Sequence, residues 1–131
     1  MEMILMIAIS AAIAAMGIVG LSQLQAVFKL RSAGDEIRSR LQLGRELAIA
    51  NKDQVSYSIT LTSGVVTLRS NSGEISRFQT PGGITYSPNV FTWNFTPSTG
   101  MLTGCTLPCQ LSLTSGGNTE LVIFNENGIV N

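Results

Sequence analysis

The 131-residue chain has no histidine, and only 12% of its residues are charged, about half the usual share of ~25%. Without histidine there is no Ser-His or Cys-His catalysis, and the commonest transition-metal ligand is missing. Eight basic and eight acidic side chains give a formal net charge of zero, so no global basic bias points to nucleic acid. Cysteine is nearly absent too: Cys105 and Cys109 stand alone in CTLPC. Two thiols fill only two of the four positions of a structural zinc site, and nothing else completes the set. A disulfide across a tight turn is the leading expectation if the domain is extracytoplasmic, with two free thiols as the alternative. So short a closed loop stabilises little globally, and its role would be to pin a turn. SNSGE and TPGG are turn chemistry rather than phosphate loops. The sequence therefore offers no catalytic, cofactor-binding or metal-binding residues, and the chain is not expected to be an enzyme.

Charge is also missing locally. From Met3 to Phe28 there is none. The stretch Met3–Leu21, MILMIAISAAIAAMGIVGL, is long enough to cross a bilayer. A cleaved secretory signal would begin with positive charge, whereas this chain begins Met-Glu. A buried core helix would need a larger domain to surround it than the roughly 100 remaining residues supply. Residues 1–28 therefore read as an apolar transmembrane or filament-core helix segment. Glu2 at its head is a problem, because a lone carboxylate in hydrocarbon costs about 2.5–3.5 kcal/mol on insertion scales. The first basic residue, Lys29, would lie about 40 Å away along a helix. Glu2 must stay at the interface, be protonated, or find its partner on another molecule. The segment is rich in small residues, among them Ala8, Ser10, Ala11, Ala12, Gly17 and Gly20. These permit close helix packing in apolar surroundings. Gly17 and Gly20 also weaken a helix by about 1 kcal/mol each relative to alanine, which marks them as sites of helix packing and flexibility.

The helical pattern continues past the apolar run. Leu24, Val27, Phe28, Ile37, Leu41, Gly44, Leu47 and Ala48 fall on one face. Arg31–Asp35 and Glu36–Arg40 sit at i,i+4. Gly34 is a weak point, and Asn51 is a stop signal. Residues 29–53 read as an amphipathic segment, and the whole helix would be about 75 Å long. After it the period changes to two, and residues 54–131 read as a β-rich globular domain. Val55, Tyr57, Ile59 and Leu61 alternate with polar residues, as in a half-buried strand. Strands are expected at VVTLRS, EISRFQ, ITYS, VFTWNF, QLSLTS and ELVIFN, with a possible short final strand at IVN. In VFTWNF, Trp93 and the two phenylalanines are expected to divide between the two faces. The fold class is α+β: a long N-terminal helix, apolar in its first half and amphipathic in its second, packed on an antiparallel β-sheet or small β-sandwich.

An acidic residue heading an apolar run, then a continuous amphipathic helix and a β domain, resembles the type IV pilins and type II secretion pseudopilins. RSRLQLGRELAIANKDQVSYSI resembles H-type pseudopilins and FimT/FimU-like minor pilins, whose helix delivers an Arg-x-x-Ala-Ile into the first strand. Here Arg45, Ala48 and Ile49 match, and LVIFNENGIVN resembles the closing hairpin. The resemblance implies the pilin fold and a structural subunit of a pilus-like homo-oligomeric filament. It implies that Glu2 matches the family's assembly glutamate, which pairs with a neighbour's N-terminus. That glutamate is the fifth residue of a mature chain, so three residues and a short basic leader would precede Met1. It further implies prepilin peptidase and an inner-membrane assembly platform as partners, N-terminal methylation, and residence in the membrane before export as a pilus or periplasmic pseudopilus. The family's common proline in the apolar helix is absent, and Gly17 and Gly20 would take its place. The alternatives are a minor pseudopilin of a type II secretion system and a DNA-binding minor pilin for transformation. FimT-like proteins bind DNA through a basic C-terminal stretch. Here nothing after Arg77 is basic, and the helix cations are interleaved with Asp35, Glu36 and Glu46, so nucleic acid is not an expected partner.

Overall fold

The computed structural model describes residues 2–50 and 55–125, and within the helix it leaves out the side chains of residues 2, 5 and 14–19. A single helix, α1, runs Glu2–Ala50. Eight strands follow: β1 Tyr57–Thr62, β2 Val65–Ser70, β3 Gly73–Gln79, β4 Thr85–Ser87, β5 Phe91–Phe95, β6 Leu102–Thr103, β7 Cys109–Ser115 and β8 Asn118–Phe124. They form two antiparallel sheets, one in the order β3-β2-β1-β5-β6 and the other β4-β7-β8. Alternation explains the pairing. Strands β1, β2, β5, β7 and β8 place every second side chain toward the helix, and the register Ile59↔Leu68 and Ile59↔Trp93 aligns these inward rows. The hairpins close at turn residues able to adopt positive φ, Ser63-Gly64 between β1 and β2 and Gly116-Gly117 between β7 and β8.

The second half of α1 lies across both sheets, contacting β1, β2 and β5 of one and β7 and β8 of the other. Leu30, Ala33, Ile37, Leu41 and Ala48 are fully or almost fully buried. They pack on Ile59, Leu61, Val66, Leu68, Phe95, Leu111, Leu113, Val122 and Phe124 in one core. At Gly44 the helix approaches the larger sheet too closely for a side chain: a β-carbon there would lie 2.6 Å from the Phe95 ring. The helix end is tied down where the Ser98 N–H donates to the Ala48 carbonyl at 3.0 Å.

Three expectations change. Leu24 and Phe28 are 52% and 62% exposed, outside the buried face, because each lies two residues, roughly 200°, from the side of the helix that the β domain approaches at Ala26. A β-carbon on Gly116, at the tip of the β7–β8 hairpin, would sit 3.4 Å from that residue. Burial begins instead at Leu30. Phe91, Trp93 and Phe95 do not divide between faces. Spaced by two, all three point inward and are buried. The ion pair at the top of the helix is Asp35–Arg38 rather than Arg31–Asp35, because Arg38 is drawn toward β8. Among the described residues no helix is long and apolar enough to cross a membrane. Residues 14–19, in the middle of the uncharged run, are among those whose side chains lie outside the description. Asn51 and the proposed strand IVN also lie outside the described residues.

Candidate assembly surface

The first half of α1 projects from the β domain with its apolar side chains in the open. Met3, Ile4, Met6, Ile7, Ile13, Leu21, Leu24 and Phe28 are each more than half exposed. Scattered exposed leucines are ordinary, but exposed apolar side chains recurring along a rod of this length mark an interaction site. The backbone is helical throughout, and Ser10 returns its hydroxyl to the Met6 carbonyl at 2.8 Å, which satisfies that hydroxyl within the apolar stretch. Gly20 is exposed, and a β-carbon added there would meet nothing within 4 Å. Gly17 lies in the same helix. The side chain of Glu2 is outside the description.

Two arginines fix the rod to the domain. Residues two apart on a helix point roughly 200° away from each other, so Arg38 and Arg40 serve opposite flanks. Arg38 takes the side of the smaller sheet. Its guanidinium lies 2.6 Å from Glu120 on β8 and 3.0 Å from Asp35, and it donates to the Leu121 carbonyl at 3.2 Å. Arg40 takes the side of the larger sheet. It pairs with Glu36 at 2.5 Å, donates to the Ser76 hydroxyl on β3, and lies over the Phe78 ring at 5.3 Å from its centre. Because the Arg38 and Glu120 side chains are only 20% and 26% exposed, this pair is screened less by water than a surface pair. Sequence spacing suggested Glu36–Arg40. The long-range partners Glu120 and Ser76 leave no local signal.

Cys105 and Cys109 form a disulfide with a Cα–Cα distance of 5.6 Å. It closes the loop between β6 and β7 beside an open groove of about 460 Å³ lined by Val90, Phe91, Trp93 and Pro108. No charged side chain lines the groove. Tyr86, on β4, has its phenol pKa raised by burial, with the Thr80 side chain pulling it partway back. No hydrogen bond of normal geometry satisfies that hydroxyl. Among the described residues no cluster of acidic or cysteine side chains forms a candidate metal site.

No protein-family model matches the sequence, and no curated protein matches it. The fold is more informative. Two crystal forms of the type IV minor pilin FimU from Pseudomonas aeruginosa strain PAO1 superpose on it. The first gives a TM-score of 0.60 over 82% of this chain and 90% of FimU, at 16% identity. The second gives 0.58 over 78% and 90%, at 17% identity. The chain has the pilin fold. Within that fold, the rod of exposed apolar residues is the projecting N-terminal half of the helix, and the two-sheet domain is the globular head clamped to its second half by Arg38 and Arg40. At such low identity the likeness concerns the fold alone. Of the residues singled out from sequence, Cys105 and Cys109 are brought together and Gly20 lies exposed on the rod, while Glu2 and Gly17 share its helical backbone with their surroundings outside the description.

Proposed function

We propose that this protein is a structural subunit of a type IV pilus-like filament. The observation that supports it best is the exposed apolar half of α1, rigidly continuous with a helix clamped on a pilin head. A monomer with that surface in water is unfavourable by about 25 cal/mol per Å² of apolar area. Packing the rods of many copies side by side removes the exposure. The small residues along the run allow close approach of the backbones, and the heads then form the outer surface. In this reading Glu2 pairs with the N-terminal ammonium of a neighbouring copy, which neutralises both charges inside the apolar core and sets their register. Before assembly, the uncharged run Met3–Phe28 is held in the inner membrane. This last element rests on the sequence run alone.

The test is electron microscopy of filaments sheared from the cell surface, with mass spectrometry of the subunit N-terminus. Filaments built of this chain, with a few residues ahead of Glu2, are expected. A chain that remains monomeric would overturn the filament reading.

A further inference from the structure

The open face of α1 in its second half is not uniformly polar. Phe28 is 62% exposed and Leu43 40% exposed. Arg31 and Glu46 are both exposed, and among the described residues neither is in an ion pair. Of the other charges on this segment, Asp35 is paired with Arg38 and Glu36 with Arg40, while Lys29 and Arg45 are in no ion pair among the described residues. The spacing of the four is informative. Leu43 lies fifteen residues after Phe28, and Glu46 fifteen after Arg31. Sliding one copy of the helix along another by that single step therefore brings an apolar pair and an oppositely charged pair level together. Fifteen residues correspond to about 22 Å of helix rise.

We propose that α1 carries its own stacking register for a second copy. Phe28 and Arg31 of one copy dock on Leu43 and Glu46 of the next, in parallel, about 22 Å apart along the helix axis. The inference rests on the filament reading above and adds the residues that fix neighbour placement from the end of the apolar rod onward. The two patches differ in composition and lie at different heights on one molecule. The contact is therefore heterologous and does not close, leaving a free lower patch at one end of a growing stack and a free upper patch at the other. The apolar pair contributes burial. The ion pair contributes mainly specificity, since like charges at the same place oppose docking.

Cysteine cross-linking tests the register directly, because a disulfide forms only when the two Cα atoms come within about 4.4–6.8 Å. The chain has no other free thiol. Full-length protein carrying both Phe28→Cys and Leu43→Cys is assembled into filaments and oxidised. A covalent ladder of dimers, trimers and longer species is expected on a denaturing, non-reducing gel. The control, Leu21→Cys with Leu43→Cys, places the lower thiol two turns out of register and is expected to give none. Charge exchange supplies a second readout. Arg31→Glu alone and Glu46→Arg alone should each reduce filament yield roughly tenfold, while the double exchange restores it. Double-cysteine filaments without a ladder, or a double exchange no better than the single variants, would overturn the register and leave the filament reading standing. Failure of the unaltered chain to assemble would overturn both.

Discussion

The two halves of α1 share one backbone and opposite surroundings. The first half presents Met3, Ile4 and Met6 at 70–82% exposure, while in the second half Ala33, Ile37 and Leu41 have no exposed surface. Intrinsic helix preference does not distinguish them, since both are rich in alanine, leucine and isoleucine. The difference lies in patterning. The second half spaces its apolar residues on one stripe and fills the remainder with charge, so a single neighbouring domain satisfies it. The first half is apolar all round and needs neighbours on every side. One chain supplies only one side, so the first half is complete only in an assembly.

Glycine sharpens the contrast, because the same substitution should have opposite signs in the two halves. Gly44→Ala should cost about 2–3 kcal/mol, since the new methyl meets the Phe95 ring at 2.6 Å and forces overpacking that exceeds the gain in helix preference. Denaturant titration of the full chain in detergent, followed by Trp93 fluorescence, measures it. Gly20→Ala meets nothing within 4 Å and should stabilise the monomer helix by up to about 1 kcal/mol. If the first half packs closely in a filament, the same variant should assemble more slowly. Faster assembly would remove Gly20 from the packing surface.

The clamps define how far the head depends on its own contacts. Reduction of Cys105–Cys109, whose sequence separation is only 4, should cost about 2 kcal/mol by loop entropy. That loss should be confined to the head, leaving the helical signal of the first half unchanged in circular dichroism. Glu120→Gln should cost about 1–2 kcal/mol, because Arg38 loses a charged partner in a partly buried setting. Added salt should hardly alter that loss. A loss that disappears at high salt would place the pair in the exposed class, alongside Asp35–Arg38.

Much of this architecture is legible in the sequence. The period of 3.6 followed by a period of two separates the helix from the strands, and glycine pairs such as Gly116-Gly117 mark the hairpins. The Cys-x3-Cys spacing anticipates a turn-pinning disulfide. What escapes depends on distance along the chain. Glu120 lies eighty-two residues from Arg38, so no local pattern relates them. The two-residue strand β6 is too short to leave a period, and its place is set by pairing with Asn94 and Phe95. Leu24 and Phe28 fit a helical stripe by spacing, but spacing does not reveal which side of the helix the neighbouring domain covers there. For the assembly surface, the apolar run is plain in sequence. The register of Phe28 and Arg31 on Leu43 and Glu46 needs the structure, which shows which charges are already taken.

The smallest expected effect lies in the head, at Tyr86, and it depends on pH. Burial raises the phenol pKa above its ordinary value of 10.0, so the folded state prefers the protonated form. That preference is fully present below the unfolded pKa, near pH 10, and is lost as pH rises through the higher folded value. Tyr86→Phe removes the titration. At pH 8 the variant should match the parent or exceed it by less than about 1 kcal/mol, because a buried hydroxyl lacking a well-formed hydrogen bond contributes little. Above pH 10 the parent should lose stability relative to the variant. Denaturation midpoints of the two proteins at pH 8 and pH 11 check this, the difference between them isolating the Tyr86 hydroxyl. A gap that does not widen at alkaline pH would mean that water reaches the Tyr86 hydroxyl, and that the β4 edge of the smaller sheet opens more readily than its packing suggests.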